Sequence, residues 1–176
     1  FNTLLYPRVS IIDPELVVSL PAAVTAATGF DVFCHAFESL LHPARGAYVE
    51  LIAQEAVKTV AENLPKVLED PKNIEFRSKM AYADTLAGLS IANAGVTLPH
   101  GIGMAIGGMY PHVAHGQALA MVYPACTNYT YESAIEQYAF FFFFFDPSIN
   151  GMDNYEAAHS AEKIITDFLK KINLFK

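Results

Sequence analysis

Apolar residues recur every three or four positions along most of the chain, which is the period of an amphipathic α-helix. The sequence Asp13-Pro14-Glu15 combines a capping aspartate with a proline, as at the start of a helix. Gly29 and Pro65 are expected to end the helices that precede them. The helices predicted downstream cover residues 21–28, 29–41, 48–63, 73–95, 100–106, 117–122, 131–138 and 155–172.

Two segments depart from this helical period. Residues 2–12 have the pattern of an extended strand, although no other segment offers an obvious partner and a lone strand is rarely stable. Residues 140–145 are six consecutive phenylalanines, which would place aromatic rings on every face of a helix and so indicate no particular site. The predicted fold class is therefore all-α, a helical bundle with one leading extended strand.

Length and charge exclude several classes of partner. A chain of 176 residues with 53% hydrophobic content has the size of one domain with a packed core. The net charge of -7, with only 11 Lys plus Arg, provides no basic surface for nucleic acid. No apolar run approaches the roughly 18 residues that span a bilayer. We therefore expect neither a nucleic acid partner nor a membrane partner.

The two cysteines and two of the histidines are expected to have structural roles. Cys34 and Cys126 lie far apart in apolar surroundings, and the sequence shows no signal-peptide pattern, which favours the reducing cytoplasm. Cys34 is expected to be buried in the core rather than to act as a nucleophile. The lone histidines His112 and His159 are interpreted in the same way, as ordinary core or surface residues.

The helix predicted from Gly29 onwards carries the first candidate chemistry. Asp31 and His35 lie four residues apart, so a carboxylate and an imidazole project from the same face. Glu38 and His42 continue this polar stripe, which an ordinary solvated helix face would also produce. Such a face normally contains Lys or Arg, however, and none occurs between Gly29 and His42. From this segment alone, a solvated stripe and a pair of metal ligands both remain open.

Two further histidines, His100 and His115, each precede a glycine. Either one is equally well explained as an ordinary core or surface histidine. Together with Asp31 and His35, however, they would provide one carboxylate and three imidazoles, a set that suits a divalent transition metal. Residues 100–108 contain four glycines, which suggests a need for close backbone approach. No predicted strand precedes this segment, so it is not a phosphate-binding loop.

Several separated motifs occur in a characteristic order: Asp13-Pro14-Glu15-Leu16, Leu20-Pro21, Thr25-Ala26-Ala27-Thr28-Gly29-Phe30-Asp31, His35-Ala36-Phe37-Glu38, Arg77 with Met80, Ala87-Gly88, His100 and His115-Gly116. In this order they resemble the second half of the iron-containing (group III) alcohol dehydrogenases. The resemblance runs from about residue 3 to residue 139 and returns over the last predicted helix.

The resemblance implies a metal site and a domain organisation. Fe(II), or alternatively Zn(II), would be bound by four ligands: Asp31, His35, His100 and His115. Residues 13–176 would form the α-helical metal-binding domain of a dehydroquinate synthase-like fold, incomplete at its C-terminus. Residues 1–12 would be the end of a missing N-terminal nucleotide-binding domain. That Rossmann-like domain would bind NAD or NADP.

The implied activity is the interconversion of small alcohols and aldehydes or ketones through a metal-bound alkoxide, in a homo-oligomer. The chain alone is expected to be inactive. Met104 stands where many family members have another histidine, so a proton relay assigned to that residue has no counterpart here. A site lining of Phe30, Phe33, Phe37 and Ile106 would favour small primary alcohols. The alternatives are a non-catalytic helical metal-binding or assembly module and a zinc-dependent polyol (glycerol-type) dehydrogenase.

Overall fold

The structure is a computed structural model that describes residues 5–175. Within this range the chain forms a helical bundle and contains no strand. Its helices are α1 (Ala22–Leu41), α2 (Ala47–Glu69), α3 (Ile74–Asn93), α4 (Leu98–Met109), α5 (His115–Thr130), α6 (Ile135–Phe142), α7 (Asn154–His159) and α8 (Ala161–Lys171). The predicted all-α bundle is confirmed for the described residues.

The leading segment does not form the strand that its sequence suggested. Residues 5–12 are exposed and irregular, with Val9 at 78% and Ile11 at 86% exposure. A β-strand needs a neighbour with which to pair, and residues 5–175 provide none. The rest of the predicted strand, residues 2–4, lies outside the described residues.

Helix α1 is the centre of the bundle, because α2, α3 and α5 all pack against it. It is buried on almost every face, which explains why it contains no Lys or Arg. The predicted break at Gly29 is wrong, since α1 runs unbroken from Ala22 to Leu41. Leu64 of α2 packs where a side chain at position 29 would lie, so this glycine allows two helices to approach instead of ending one.

Two prolines lie inside helices that are longer than the sequence predicted. Helix α2 continues past Pro65, and α5 continues past Pro124. A proline removes one backbone donor from a helix, but Leu64 and Val67 on either side of Pro65 are fully buried and keep α2 packed on the core. The predicted interruption at Pro65 is therefore wrong.

An aromatic cluster joins α1 to the C-terminal helices. The ring of Phe33 lies 5.4 Å from that of Tyr123 in α5 and 6.3 Å from that of Phe142 in α6. The phenylalanine run has a buried side, since Phe142 is fully buried while Phe140 is 51% exposed. Helices α7 and α8 pack at this end, and the single helix predicted over residues 155–172 is divided between them at Ser160.

The connection between α3 and α4 returns the chain to α1. Helix α3 stops just before Gly95, as predicted, and the φ of +108° at Gly95 lies in the left-handed region that favours glycine. Ser39 of α1 donates a hydrogen bond to the carbonyl of Gly95 at 3.2 Å. Within the described residues no single helix is long and apolar enough to cross a membrane; α3 and α4, which are bent by 100° relative to each other, reach the required length and composition only when taken together.

Candidate metal centre

Four side chains selected from the sequence meet at one carboxylate oxygen. Oδ1 of Asp31 lies 3.5 Å from Nε2 of His35, 3.3 Å from Nε2 of His100 and 3.7 Å from Nε2 of His115. The ring of His100 stacks on that of His35, with 4.8 Å between their centroids. One ligand atom from each of Asp31, His100 and His115 lies within 4.8 Å of the other two. The fold thus assembles the predicted residues from three separate helices.

The three helices reach this point in different ways. Helix α1 carries the aspartate and the first histidine one turn apart, α4 carries His100 in its first turn, and α5 begins with His115. The start of α5 approaches α1 closely at Gly116, where an added Cβ would collide with the main-chain carbonyl of Ala27. Ala27 is one turn before Asp31. The backbone contact at Gly116 therefore places His115 beside the carboxylate.

Within the glycine-rich segment over residues 100–108, one glycine lies in close contact with another helix, as the sequence suggested. A Cβ on Gly103 would lie 2.8 Å from the side chain of Leu119 in α5. Open space surrounds the corresponding point at the other three glycines: Gly101, Gly107 and Gly108. Packing within the described residues therefore explains only Gly103, and not the other three glycines of this helix.

Oδ1 of Asp31 and Nε2 of His100 are buried without a hydrogen-bond partner. They lie 3.3 Å apart but are not aligned for a hydrogen bond with each other. Buried polar atoms of this kind are costly when unpaired, and a cation between them would satisfy both. In a tetrahedral site with metal–ligand distances of about 2.0–2.2 Å, the ligand atoms are roughly 3.3–3.6 Å apart. The three separations from Oδ1 of Asp31 are similar. Asp31, His100 and His115 form a compact group that fits a divalent transition metal, whereas His35 lies beside Asp31 but outside that group.

The exposure of the four side chains differs across the site. The side chain of His100 is 5% exposed, those of Asp31 and His35 are 21% and 22% exposed, and that of His115 is 41% exposed. The bundle therefore closes one side of the cluster, which consists of Asp31, His35, His100 and His115, and it leaves the side at His115 accessible. An exogenous ligand would have to approach the four side chains from this accessible side.

The pKa values of two of the histidines move in opposite directions. Burial lowers the pKa of His35, and the nearby carboxylate of Asp31 only partly opposes this shift. Burial also acts to lower the pKa of His100, but the carboxylates of Asp31 and Glu38 outweigh it and raise the pKa to about 9. The difference arises because His100 has a carboxylate next to each of its ring nitrogens.

Glu38, to which the sequence analysis assigned no role, completes the surroundings of His100. It is fully buried, and its Oε1 lies 2.8 Å from Nδ1 of His100. Its other oxygen accepts hydrogen bonds from Thr97 at the start of α4. Glu38 follows Asp31 by seven residues, so helical spacing alone places both on one face. That spacing was the available signal, but it could not show that Glu38 would be buried.

The other candidate residues lie outside the cluster. Nδ1 of His159 is 3.0 Å from the hydroxyl oxygen of Tyr131, and the ring of His112 packs edge-on against that of Tyr110. Cys34 is fully buried, where its pKa is raised well above the ordinary value, chiefly by burial. None of these side chains contributes an atom to the group around Asp31.

The expected apolar lining of the site is not found at the predicted phenylalanines. Phe30, Phe33 and Phe37 are all fully buried in the aromatic core, so they cannot line a cavity that admits substrate. They share α1 with the ligands but point into the bundle. Met104, in contrast, is 58% exposed on α4.

Comparison with known proteins agrees with the arrangement of the site. A family model described as "Fe-containing alcohol dehydrogenase family, C-terminal" matches residues 25–176. The chain is 42% identical over 122 residues to a 1-propanol dehydrogenase of Salmonella typhimurium, covering 69% of this chain and 33% of that protein. It is 34% identical over 160 residues to a 1,3-propanediol dehydrogenase of Klebsiella pneumoniae, covering 91% and 41%.

A solved structure shares the fold of the described helices. The alcohol dehydrogenase ADH/D1 from an archaeon of a Red Sea brine pool superposes with a TM-score of 0.93 at 35% identity. The match covers 99% of this chain and 44% of the archaeal enzyme. The chain therefore spans less than half the length of these relatives.

Proposed function

Because the chain belongs to the iron-containing alcohol dehydrogenase family, we propose that it is the metal-binding half of an NAD(P)-dependent alcohol dehydrogenase. Residues 13–176 would form the metal-binding domain. The nicotinamide cofactor would be bound mainly by a separate Rossmann-like domain, for which the helical bundle of residues 5–175 has no counterpart. The substrates would be small alcohols and the corresponding aldehydes or ketones.

The observation that carries this proposal is the convergence of three Nε2 atoms on Oδ1 of Asp31. Asp31, His35, His100 and His115 would bind Fe(II), or alternatively Zn(II), since both accept imidazole and carboxylate ligands. When bound, the metal would supply Lewis acidity that lowers the pKa of an alcohol hydroxyl and polarises a carbonyl.

The residues of the chain would prepare the site for this chemistry. Asp31 provides a negative charge that offsets part of the charge of the cation. The fully buried aromatic core behind α1 closes the inner side of the cluster, while the partly exposed His115 marks the side from which substrate would enter. The proposed substrate class rests on the names of the two relatives described above, which specify 1-propanol and 1,3-propanediol. We propose short-chain primary alcohols of this kind.

Metal binding by variants tests the assignment of the ligands. The protein is reconstituted with Fe(II) without oxygen, or with Zn(II), and its metal content and affinity are measured. His35→Ala and His100→Ala should each lower the affinity by more than the roughly 10–100-fold that is typical of groups outside the ligand set. His159→Ala, which removes a histidine that contacts Tyr131, is the control and should bind as wild type. If the control loses as much affinity as the other two variants, the ligand assignment is wrong.

A further inference from the structure

Glu38 is a fully buried carboxylate whose oxygens both contact groups at the start of α4. Oε1 lies 2.8 Å from Nδ1 of His100, and Oε2 accepts hydrogen bonds from the backbone N–H of Thr97 at 2.7 Å and from its hydroxyl at 3.2 Å. Thr97 is the N-cap of α4, where free N–H groups and the helix dipole favour a negative charge. Among the described residues, Glu38 forms no ion pair with Lys or Arg; its ionisable partner is His100.

This contact determines which nitrogen of His100 faces the cluster. Because a carboxylate accepts at Nδ1, that nitrogen keeps its proton, and the proton that a metal would displace is the one on Nε2, where the neutral ring has its lone pair. Nε2 is the buried, unpaired atom beside Oδ1 of Asp31. Stacking on His35 restrains the plane of the ring further. Nδ1 therefore contacts Glu38, and Nε2 faces the cluster.

We propose that Glu38 is a positioning residue that fixes the tautomer and orientation of His100 so that Nε2 is available to a metal. The inference rests on the proposed metal site and concerns a residue that is not itself a ligand, because both of its oxygens are already engaged. Helix α1 would then supply two ligands, Asp31 and His35, and also the carboxylate that orients a third ligand, His100. Outer partners of this kind typically change metal affinity by roughly 10–100-fold.

Glu38→Gln, with Ser39→Ala as a matched control, tests the proposal. The glutamine has nearly the same size but replaces one oxygen by an NH₂ donor, so either His100 or Thr97 loses its acceptor. Ser39→Ala also removes a hydrogen bond between α1 and the α3–α4 connection, together with the one that the hydroxyl donates to the main-chain carbonyl of His35, but it touches no imidazole ring. Zn(II) affinity, the absorption spectrum of bound Co(II) and the free energy of unfolding of the metal-free protein are measured for both variants and wild type.

We expect Glu38→Gln to lose roughly 10–100-fold in Zn(II) affinity and to change the Co(II) spectrum, whereas Ser39→Ala keeps both. Wild-type affinity and spectrum in Glu38→Gln would overturn the inference and leave the metal site standing. Equal losses in the two variants, in step with their unfolding free energies, would overturn it as well. If wild-type protein binds neither metal, the proposed function fails and the inference fails with it.

A measurement on wild-type protein decides the question even if Glu38→Gln does not fold. In the Zn(II)-loaded protein labelled with ¹⁵N-histidine, NMR identifies the protonated nitrogen of each ring. A proton on Nδ1 of His100, with zinc on Nε2, supports the role of Glu38. Zinc on Nδ1, or a proton on Nε2, contradicts it.

Discussion

At the scale of single residues, two of the proposed ligands are each followed by a glycine, but for different reasons. A Cβ at Gly116 would collide with the carbonyl of Ala27, so the missing side chain lets α5 contact the backbone of α1. A Cβ at Gly101 would meet open space. The position of His115 therefore depends on its neighbouring glycine, whereas the position of His100 does not.

Gly116→Ala and Gly101→Ala should consequently have opposite effects on stability. Gly116→Ala pushes α5 away from α1, which we expect to cost about 1–3 kcal/mol of the free energy of unfolding, as for other overpacked sites. It should also weaken Zn(II) binding, because His115 moves with α5. Gly101→Ala should stabilise α4 by roughly 0.5–1 kcal/mol through helix propensity. Denaturant unfolding of the metal-free variants measures both values, and similar effects in the two would show that the close contact at Gly116 is unimportant.

At the scale of helices, the sequence predicted the existence of the elements better than their ends. The apolar period reveals α2 because this helix buries one apolar face. Gly29 and Pro65 misled the prediction, since packing against neighbouring helices outweighs their local preferences. For the leading segment, a strand was predicted that does not form, because its extended pattern has no strand to pair with among residues 5–175.

The phenylalanine run allows the packing of α6 to be tested with a matched pair. Phe142 is fully buried against the rings of α1, whereas Phe140, two residues earlier, is half exposed. Phe142→Ala should cost about 3–5 kcal/mol because it leaves a cavity in the aromatic core. Phe140→Ala should cost far less. Thermal or denaturant unfolding measures the difference, and equal costs would contradict the placement of this helix.

At the scale of the whole molecule, the candidate site joins residues that are distant in sequence. Helical spacing predicted that Asp31 and His35 share a face, because four residues are about one turn. No local pattern could bring His100 and His115 to them, since their approach depends on how α4 and α5 pack on α1; the ligand chemistry of these four side chains and the family resemblance suggested the set. The contact between Glu38 and His100 escaped both lines of reasoning.

The helical architecture also leads to the last prediction, that the metal-loaded chain alone will not oxidise alcohols with NAD or NADP. A dinucleotide is typically bound at a glycine-rich turn between a strand and a helix, and residues 5–175 contain no strand. Without a bound nicotinamide close to the substrate, the reaction lacks the positioning that can supply roughly 7–11 kcal/mol of the barrier.

The chain loaded with Fe(II) or Zn(II) is assayed with 1-propanol, 1,3-propanediol and ethanol, each with either cofactor. His35→Ala, prepared in parallel, reports any dehydrogenase that copurifies from the host. We expect no turnover above this background, and we expect activity to appear when the nucleotide-binding half of a family member is supplied as a fusion or as a second chain. Turnover by the chain alone at the rate of an ordinary dehydrogenase would place the cofactor site within these residues. It would contradict the proposal that a separate domain binds the nicotinamide cofactor.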